Sequence, residues 1–516
     1  MKESISNKTH RLTNGISWSW QHPHIDHRYM VLGAWLCSDI VSLFGSTLSS
    51  LAVPWMVLNL THNTVATGIV SAVQLGMLVV ANLLCGPLID KLGPTRISVT
   101  CDCISAAFIA LVPVMWFAHL FSIPLLIGVV AVVGTMRGPS NNAKDILSPS
   151  IAAFSKQAME RITGLASTTS HLAGTIGSAL GGVIVGLIGG PYALAFTSLA
   201  LLCGAGMIGF IVRPALLADS SIVASLKKTA QADETDDASS AMQSRHMKSP
   251  DQPANSRAEQ THSMTLPHQL GLHIRAYIRN IGDGWKVLIA VPVLLGYALI
   301  PAVTNMLDVA WTDVLAPAWV LNQHHGSASL GLLFASLSLP ALVGSTIATI
   351  IAERLPRFPV MVIGYLLVGF PRYLVMALNA PMPVILTVIA IGGFGSGFLN
   401  PIFGAVMYER IPVKARGKVI SLTSAMIWGL MPLGSLIGGF SSHLLGLNLT
   451  LAILGSTYLV MTLLPVFIPA LHHIERPERG ALVADIAEDA QTATAEVADS
   501  RVTNNSVTNN IGTDES

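Results

Sequence analysis

The side chains most able to do chemistry in this sequence are acids and bases set inside long apolar runs. Asp39, Asp102, Asp308 and Asp313 each interrupt a stretch of mostly aliphatic residues, and Arg137 and Arg372 do the same with the opposite sign. An ionisable group at mid-membrane depth costs about 2.5–3.5 kcal/mol on insertion scales, so it needs a reason to be there. Burial raises a carboxylate pKa toward neutrality, which lets the group load and release a proton, and its charge can also attract a cation. Asp39 and Asp308 are candidates for proton coupling or substrate contact; their alternatives are a carboxylate near the membrane rim and a hydrogen-bonded structural Asp. Arg137 is a candidate for an anionic substrate group or for a structural role near a helix end. Asn400 is a further cavity candidate. Arg372 is expected to pair with an acid or to snorkel, Asp102 to partner the loop charges, and Asp313 to lie near a wet surface.

The apolar runs that carry these residues decide the fold class. The chain has 516 residues, 52% of them hydrophobic and 11% charged, where soluble domains have about 25% charged. Mean hydropathy is +0.60. Twelve runs are long enough to cross a bilayer as helices, at about 20 residues each: 30–58, 65–89, 97–118, 121–138, 159–188, 191–212, 286–316, 328–352, 358–378, 382–408, 417–445 and 449–471. None alternates in polarity as a membrane barrel strand does. The expectation is an all-α polytopic membrane protein with twelve transmembrane helices in two pseudo-symmetric six-helix bundles. It divides into a cytoplasmic N-terminal segment at 1–28, bundles at 29–213 and 285–472, a largely disordered linker at 214–284 and a disordered acidic tail at 473–516.

Charge segregation sets the orientation. Lys91, Arg96, Arg137, Lys144, Lys156, Arg161, Arg354, Arg357, Arg410, Lys414, Arg416 and Lys418 fall on the side of the two termini. The opposite loops at 59–64 and 321–327 carry no Lys or Arg. Both termini are therefore expected in the cytoplasm, with the chain in the cell membrane. The first 28 residues have no apolar core of signal-peptide type. The linker includes a segment at 266–285 that reads either as an interfacial helix or as a simple connection. The five cysteines are scattered, odd in number and without ligand spacing, so no disulfide framework or metal is expected. HPHIDH at 22–27 reads as a solvated segment. A net charge of +1 gives no case for nucleic acid.

The two halves repeat each other locally. GSALGG at 177–182 matches GSLIGG at 434–439, so Gly434, Ser435, Gly438 and Gly439 are the counterparts of Gly177, Ser178, Gly181 and Gly182. GTMRGPSNN at 134–142 parallels SGFLNPIFG at 396–404, and GPLIDKLGP at 86–94 has a worn copy in TIIAERLPR at 349–357. Small residues at four-residue spacing let membrane helices approach closely. Repeated halves place a substrate path at their interface, opened to alternate sides as one rocks on the other.

The segment Gly86-Pro-Leu-Ile-Asp90-Lys91-Leu-Gly93-Pro-Thr-Arg96 resembles the loop signature of the major facilitator superfamily. The resemblance implies a loop that braces the cytoplasmic faces of the halves, with Asp90 at a helix N-terminus and held by Arg96. It also makes helices 1, 4, 7 and 10 the lining of the central cavity. Gly164, Ala173, Gly177, Ser178, Gly181 and Gly182 follow the spacing of the exporters' fifth-helix pattern, with Ala173 and Ser178 in place of its Gly and Pro. SLFGSTLSSLAVPWMVLNLT at 42–61 and ERIPVKARGKVISLTSAMIWGLMPLGSLIGG at 409–439 are similar to the bacterial macrolide, drug and siderophore efflux branch. The function implied is proton-driven export of drugs or other amphipathic small molecules by a cofactor-free, monomeric transporter in a lipid bilayer. A nutrient importer or facilitator of the same fold, a non-transporting sensor and a polytopic membrane transferase are the alternatives. The transferase would need a His, Asp or Glu cluster and a donor-binding domain, which the sequence lacks.

Overall fold

The computed structural model describes residues 27–218, 292–351, 355–399, 402 and 413–468. The expectations for residues 1–26, for most of the linker and for the tail lie outside the described residues, as do Asn400, Arg354, Arg410 and the side chains of Asp90, Lys414, Arg416 and Lys418. The main helices are α1 His27–Thr61, α2 Thr64–Leu84, α3 Pro94–Phe117, α4 Ile123–Ile146, α5 Met159–Ile188, α6 Gly190–Gly206, α7 Pro292–Ala310, α8 Ser327–Ile351, α9 Arg357–Val368, α10 Met382–Ser396, α11 Val413–Leu445 and α12 Leu447–Phe467. Ten helical spans are long and apolar enough to cross a membrane, Met382–Ser396 is a shorter apolar helix, and no strand occurs among the described residues. The protein is a multi-pass, all-helical membrane protein.

Three spans are extended by short irregular pieces. α6 runs through a π-helical stretch, Met207–Val212, into Arg213–Ala218. α7 passes through a π-helical turn, Trp311–Leu315, into Ala316–Asn322, and α9 breaks at Gly369 before Phe370–Ala377. The sequence marks the helix starts. Asn63 caps α2, its Oδ1 accepting from the backbone of Val65 (2.9 Å) and Ala66 (3.2 Å), and proline stands in the first turn of α3, α4, α6 and α10, where its missing N–H costs no helical bond.

In the first half α1 packs on α5 and α6, α2 on α4, and α3 on α4 and α6; in the second, α7 packs on α11, and α8 and α9 both pack on α10. The halves meet along two seams, α5 with α8 and α2 with α11. The repeat also shows in the backbone of the turns. The face away from the expected cytoplasmic side, here the distal face, carries left-handed residues in matched pairs. His62 (φ 49°) follows α1 and His324 (φ 56°) follows the α7 span, while His119 (φ 55°) follows α3 and Asn379 (φ 50°) follows the α9 span. His and Asn are among the few non-glycine residues that tolerate this conformation. Gly189 (φ 82°) and Gly446 (φ 81°) end α5 and α11, where a Cβ would be strained.

Candidate functional site

Charge is concentrated in two places. In the first half, Lys144 of α4 forms an ion pair with Asp102 of α3 (Nζ–Oδ2 2.9 Å), both side chains at most 5% exposed. Ser140 donates to Asp102 Oδ1 (2.5 Å) and Ser42 of α1 to Oδ2 (3.3 Å). Trp35 of α1 donates its indole N–H to the Lys144 carbonyl (3.3 Å). Asp39 lies one turn from Ser42 on α1 and accepts a hydrogen bond from Ser170 of α5 (3.0 Å). This cluster corrects one expectation. The fourth span was expected to end near 138, with Lys144 in the polar break that follows; instead α4 continues to Ile146 and Lys144 is buried. The ion pair with hydrogen-bond support offsets the desolvation of its ammonium. Arg137 is on the same face of α4, one and two turns before Ser140 and Lys144, and its Nε is buried without a hydrogen-bond partner.

In the second half, Arg372 pairs with Asp308 of α7. The Arg372 side chain is 3% exposed and that of Asp308 35%, so the carboxylate sits at the open edge of the pair. Trp311, Tyr373 and Tyr458 surround the guanidinium at 4.7, 5.3 and 5.7 Å from their ring centroids, within cation–π range. Tyr373 donates its hydroxyl to the Leu307 carbonyl (2.7 Å), which fixes the ring. Of the two alternatives for Arg372, pairing is the one found. Asn305, Asp308 and Thr312 are all partly exposed and at helical spacing, so they form a polar stripe along α7. Asp39, Leu43, Thr47 and Ser50 form a similar partly exposed stripe on α1.

The repeated glycines lie where the helices approach most closely. Gly177 packs on Thr47 of α1 and Gly181 on Leu51 of the same helix; in the other half Gly434 packs on Met306 and Gly438 on Ala310 of α7. The last glycine of each motif faces the opposite half. A Cβ at Gly182 would fall into the backbone of Gly331 on α8, and one at Gly439 would sit 2.7 Å from the carbonyl oxygen of Thr64 on α2 and 3.2 Å from Gly68 Cα. Both seams carry a hydroxyl-to-carbonyl bond, Thr64 Oγ1 to Gly439 (3.1 Å) and Ser327 Oγ to Gly186 (3.1 Å). Ser178, in the position of the exporters' proline, shares a hydrogen bond with Ser338 of α8 (2.5 Å). α5 is one unbroken helix through it. Ala173 is buried, and a Cβ at Gly164 would meet nothing.

The glycine contacts between the halves lie toward the distal face. Two hollows there, about 350 and 290 Å³, are lined from both halves, one including Asn59 and His325 and the other His62 and Asn322. They fall at the bottom of the size range of small-molecule sites. At the other face, Gly86–Leu92 forms a short helix that Gly93 ends with φ 83°, and Lys91 and Arg96 are exposed. Asp313 was expected near a wet surface. It is partly buried in the π-helical turn and accepts from Ser435 of α11 (3.0 Å).

Thr64, Gly68, Ser327 and Gly331 belong to the seams without standing out among the motifs of the sequence. A signal was present: TVATG at 64–68 and SASLG at 327–331 both open an even-numbered helix with a hydroxyl residue and place a glycine four residues on.

Comparison with known proteins agrees with this architecture. Residues 35–312 and 299–498 match the Major Facilitator Superfamily. The chain is similar to proteins named multidrug efflux pump Tap. It is 24% identical over 443 residues to that of Mycobacterium tuberculosis and 23% over 437 residues to that of Mycolicibacterium fortuitum, covering 85% and 84% of this chain and 94% of each relative. Among solved structures, a peptide transporter POT in complex with sulfate superposes with a TM-score of 0.60 at 11% identity, covering 87% of this chain and 96% of that one.

Proposed function

The chain belongs to the major facilitator superfamily, and on that premise we propose that it exports drugs or other amphipathic small molecules by alternating access, coupled to proton entry. The observation that carries this reading is the pair of partly exposed carboxylates, Asp39 on α1 and Asp308 on α7, each on a stripe of the helix that the fold turns toward its centre. A carboxylate so placed can exchange its proton for a cationic or polar substrate group as the cavity changes sides. The efflux pumps that match over most of the chain favour export. In this reading the distal face is the outer face, both termini are cytoplasmic, the protein works as a monomer in the cell membrane, and the bundles span 29–213 and 285–472. The loop from Gly86 to Arg96 braces the cytoplasmic side when the outer side opens.

Asp39→Asn tests the coupling. The variant is expected to insert normally, bind substrate and lose more than tenfold of its pH-gradient-driven transport in inverted vesicles. Undiminished driven efflux would remove Asp39 from the mechanism. A nutrient importer is the second reading. It is favoured by the unbroken α5, where Ser178 stands in place of the proline and makes a hydrogen bond to Ser338. The direction of substrate movement in the same vesicles separates the two.

A further inference from the structure

The connections at the distal face, 59–64, 118–122, 189–190, 321–327, 378–381 and 445–448, contain no Asp, Glu, Lys or Arg. Their ionisable side chains are histidines, His62, His119, His324 and His325, and His443 stands in the last turn of α11. These five are not spread evenly. His325 is the histidine of one hollow and lies against Trp319, with ring centroids 5.8 Å apart. The other hollow is lined by two, His62 from the first half and His443 from the second, together with Asn322.

The backbone brings these two imidazoles to one place. Thr64 and Gly439 touch across the α2–α11 seam, the Thr64 hydroxyl donating to the Gly439 carbonyl at 3.1 Å. His443 is four residues beyond Gly439, on the same face of α11 and one turn nearer its distal end. His62 is two residues before Thr64, in the connection that enters α2 from the same end. Both side chains therefore start just distal to a point where the halves are in contact, and both line the same hollow of about 290 Å³. The hydroxyls in its wall are already committed, Thr64 to Gly439 and Ser442 to the carbonyls of Gly438 and Gly439 in its own helix. The side chains of His62, Asn322 and His443 are exposed and make no hydrogen bond or ion pair among the described residues.

We propose that His62 and His443 form a binding site for a divalent transition-metal ion of the zinc and copper class, which clamps the two halves together at the distal face. Imidazole is the commonest metal-binding side chain. It suits zinc, copper and nickel, whereas calcium and magnesium favour carboxylate and other oxygen ligands, and no carboxylate lines this hollow. The Asn322 amide oxygen and water complete the four positions that zinc takes. No lysine or arginine of the distal connections repels the ion. Because its imidazoles come from opposite halves, the ion binds the distally closed state and favours it by mass action. Metal arriving from the distal side then slows transport without entering the central cavity. That consequence rests on the alternating-access reading; the site itself does not.

Electron paramagnetic resonance with copper(II) as the probe counts the imidazoles on the ion. The full chain in nanodiscs carries no affinity histidines, and His22, His24 and His27 are replaced by Gln so that the HPHIDH segment does not compete. This parent should bind copper through two imidazole nitrogens. His62→Asn, chosen because Asn tolerates the left-handed turn, and His443→Gln should each leave one imidazole and weaken binding at least tenfold. Two imidazoles persisting in either variant, or fewer than two in the parent, would overturn the site. Zinc on the distal side of vesicles should slow flux at least fivefold in the parent and leave His62→Asn unaffected. No slowing of the parent, equal slowing of both, or the same slowing by calcium would overturn the clamp. A parent that holds copper through two imidazoles yet exports no drug would sink the export reading and leave the site standing.

Discussion

Arg372 shows how one residue can be read at two levels. In the sequence it is the lone cation in the ninth span. In the structure it is enclosed by three aromatic rings and held to Asp308. Removing Arg372 strands the Asp308 carboxylate, which is 35% exposed, at a cost of about 1–3 kcal/mol. Arg372→Met should therefore lower thermal stability in detergent by about that amount. Adding Asp308→Asn to it should recover most of the loss, because no charge is then stranded. A double variant no more stable than the single would mean that Arg372 acts through its aromatic contacts alone. The partner of Arg372 could not be read from the sequence because Asp308 is 64 residues away and four acids competed for the role. Lys144 misled for a related reason. A lysine among polar residues reads as a loop, and only its contact with Asp102, 42 residues earlier in the chain, shows that it is buried.

Among the elements, α5 and α11 were the most legible. GSALGG and GSLIGG mark corresponding helices, and both make the close approaches that small residues permit. Their partners were less legible, since a hydroxyl and a glycine at the start of α2 or α8 have no meaning until the seam is seen. The two helices also divide into tolerant and intolerant positions. Gly182→Val places carbon atoms inside the backbone of Gly331, so the distal seam should not close and transport should fall at least tenfold, with membrane insertion retained. Gly164→Ala enters open space and should transport within twofold of the parent. Flux in vesicles, normalised to protein inserted, checks both. Equal activity of the two variants would show that α5 and α8 need not touch during the cycle.

At the scale of the whole molecule, the paired left-handed turns show that the repeat extends past the motif into the connections. His62 and His324, His119 and Asn379, and Gly189 and Gly446 place equivalent bends at one face. Twelve helices in two similar halves could be seen in the apolar runs; the conformation could not, because no local pattern records which ends of the helices touch. In the proposed alternating-access cycle that contact is temporary. Cysteines in place of Ser178 and Ser338, whose hydroxyls share a hydrogen bond across this seam, should form a bond under oxidation in a background without the native cysteines. Transport should stop when it forms and return on reduction. Full transport through a completely cross-linked seam would rule out parting of the halves at that point.

The glycines at the seams have one more consequence. Where Gly182 meets Gly331 and Gly68 meets Gly439, backbone faces backbone, and only short hydroxyl side chains, Thr64, Ser178 and Ser327 among them, bond across the seams beside them. A gap of about 0.5–1 Å already forfeits about a quarter to a half of the dispersion attraction between such surfaces, and few long side chains must unlock first. The seam should behave like a magnetic latch, firm in contact and free just beyond it, so that a modest push from a bound ligand or a lost proton carries the halves abruptly from one position to the other.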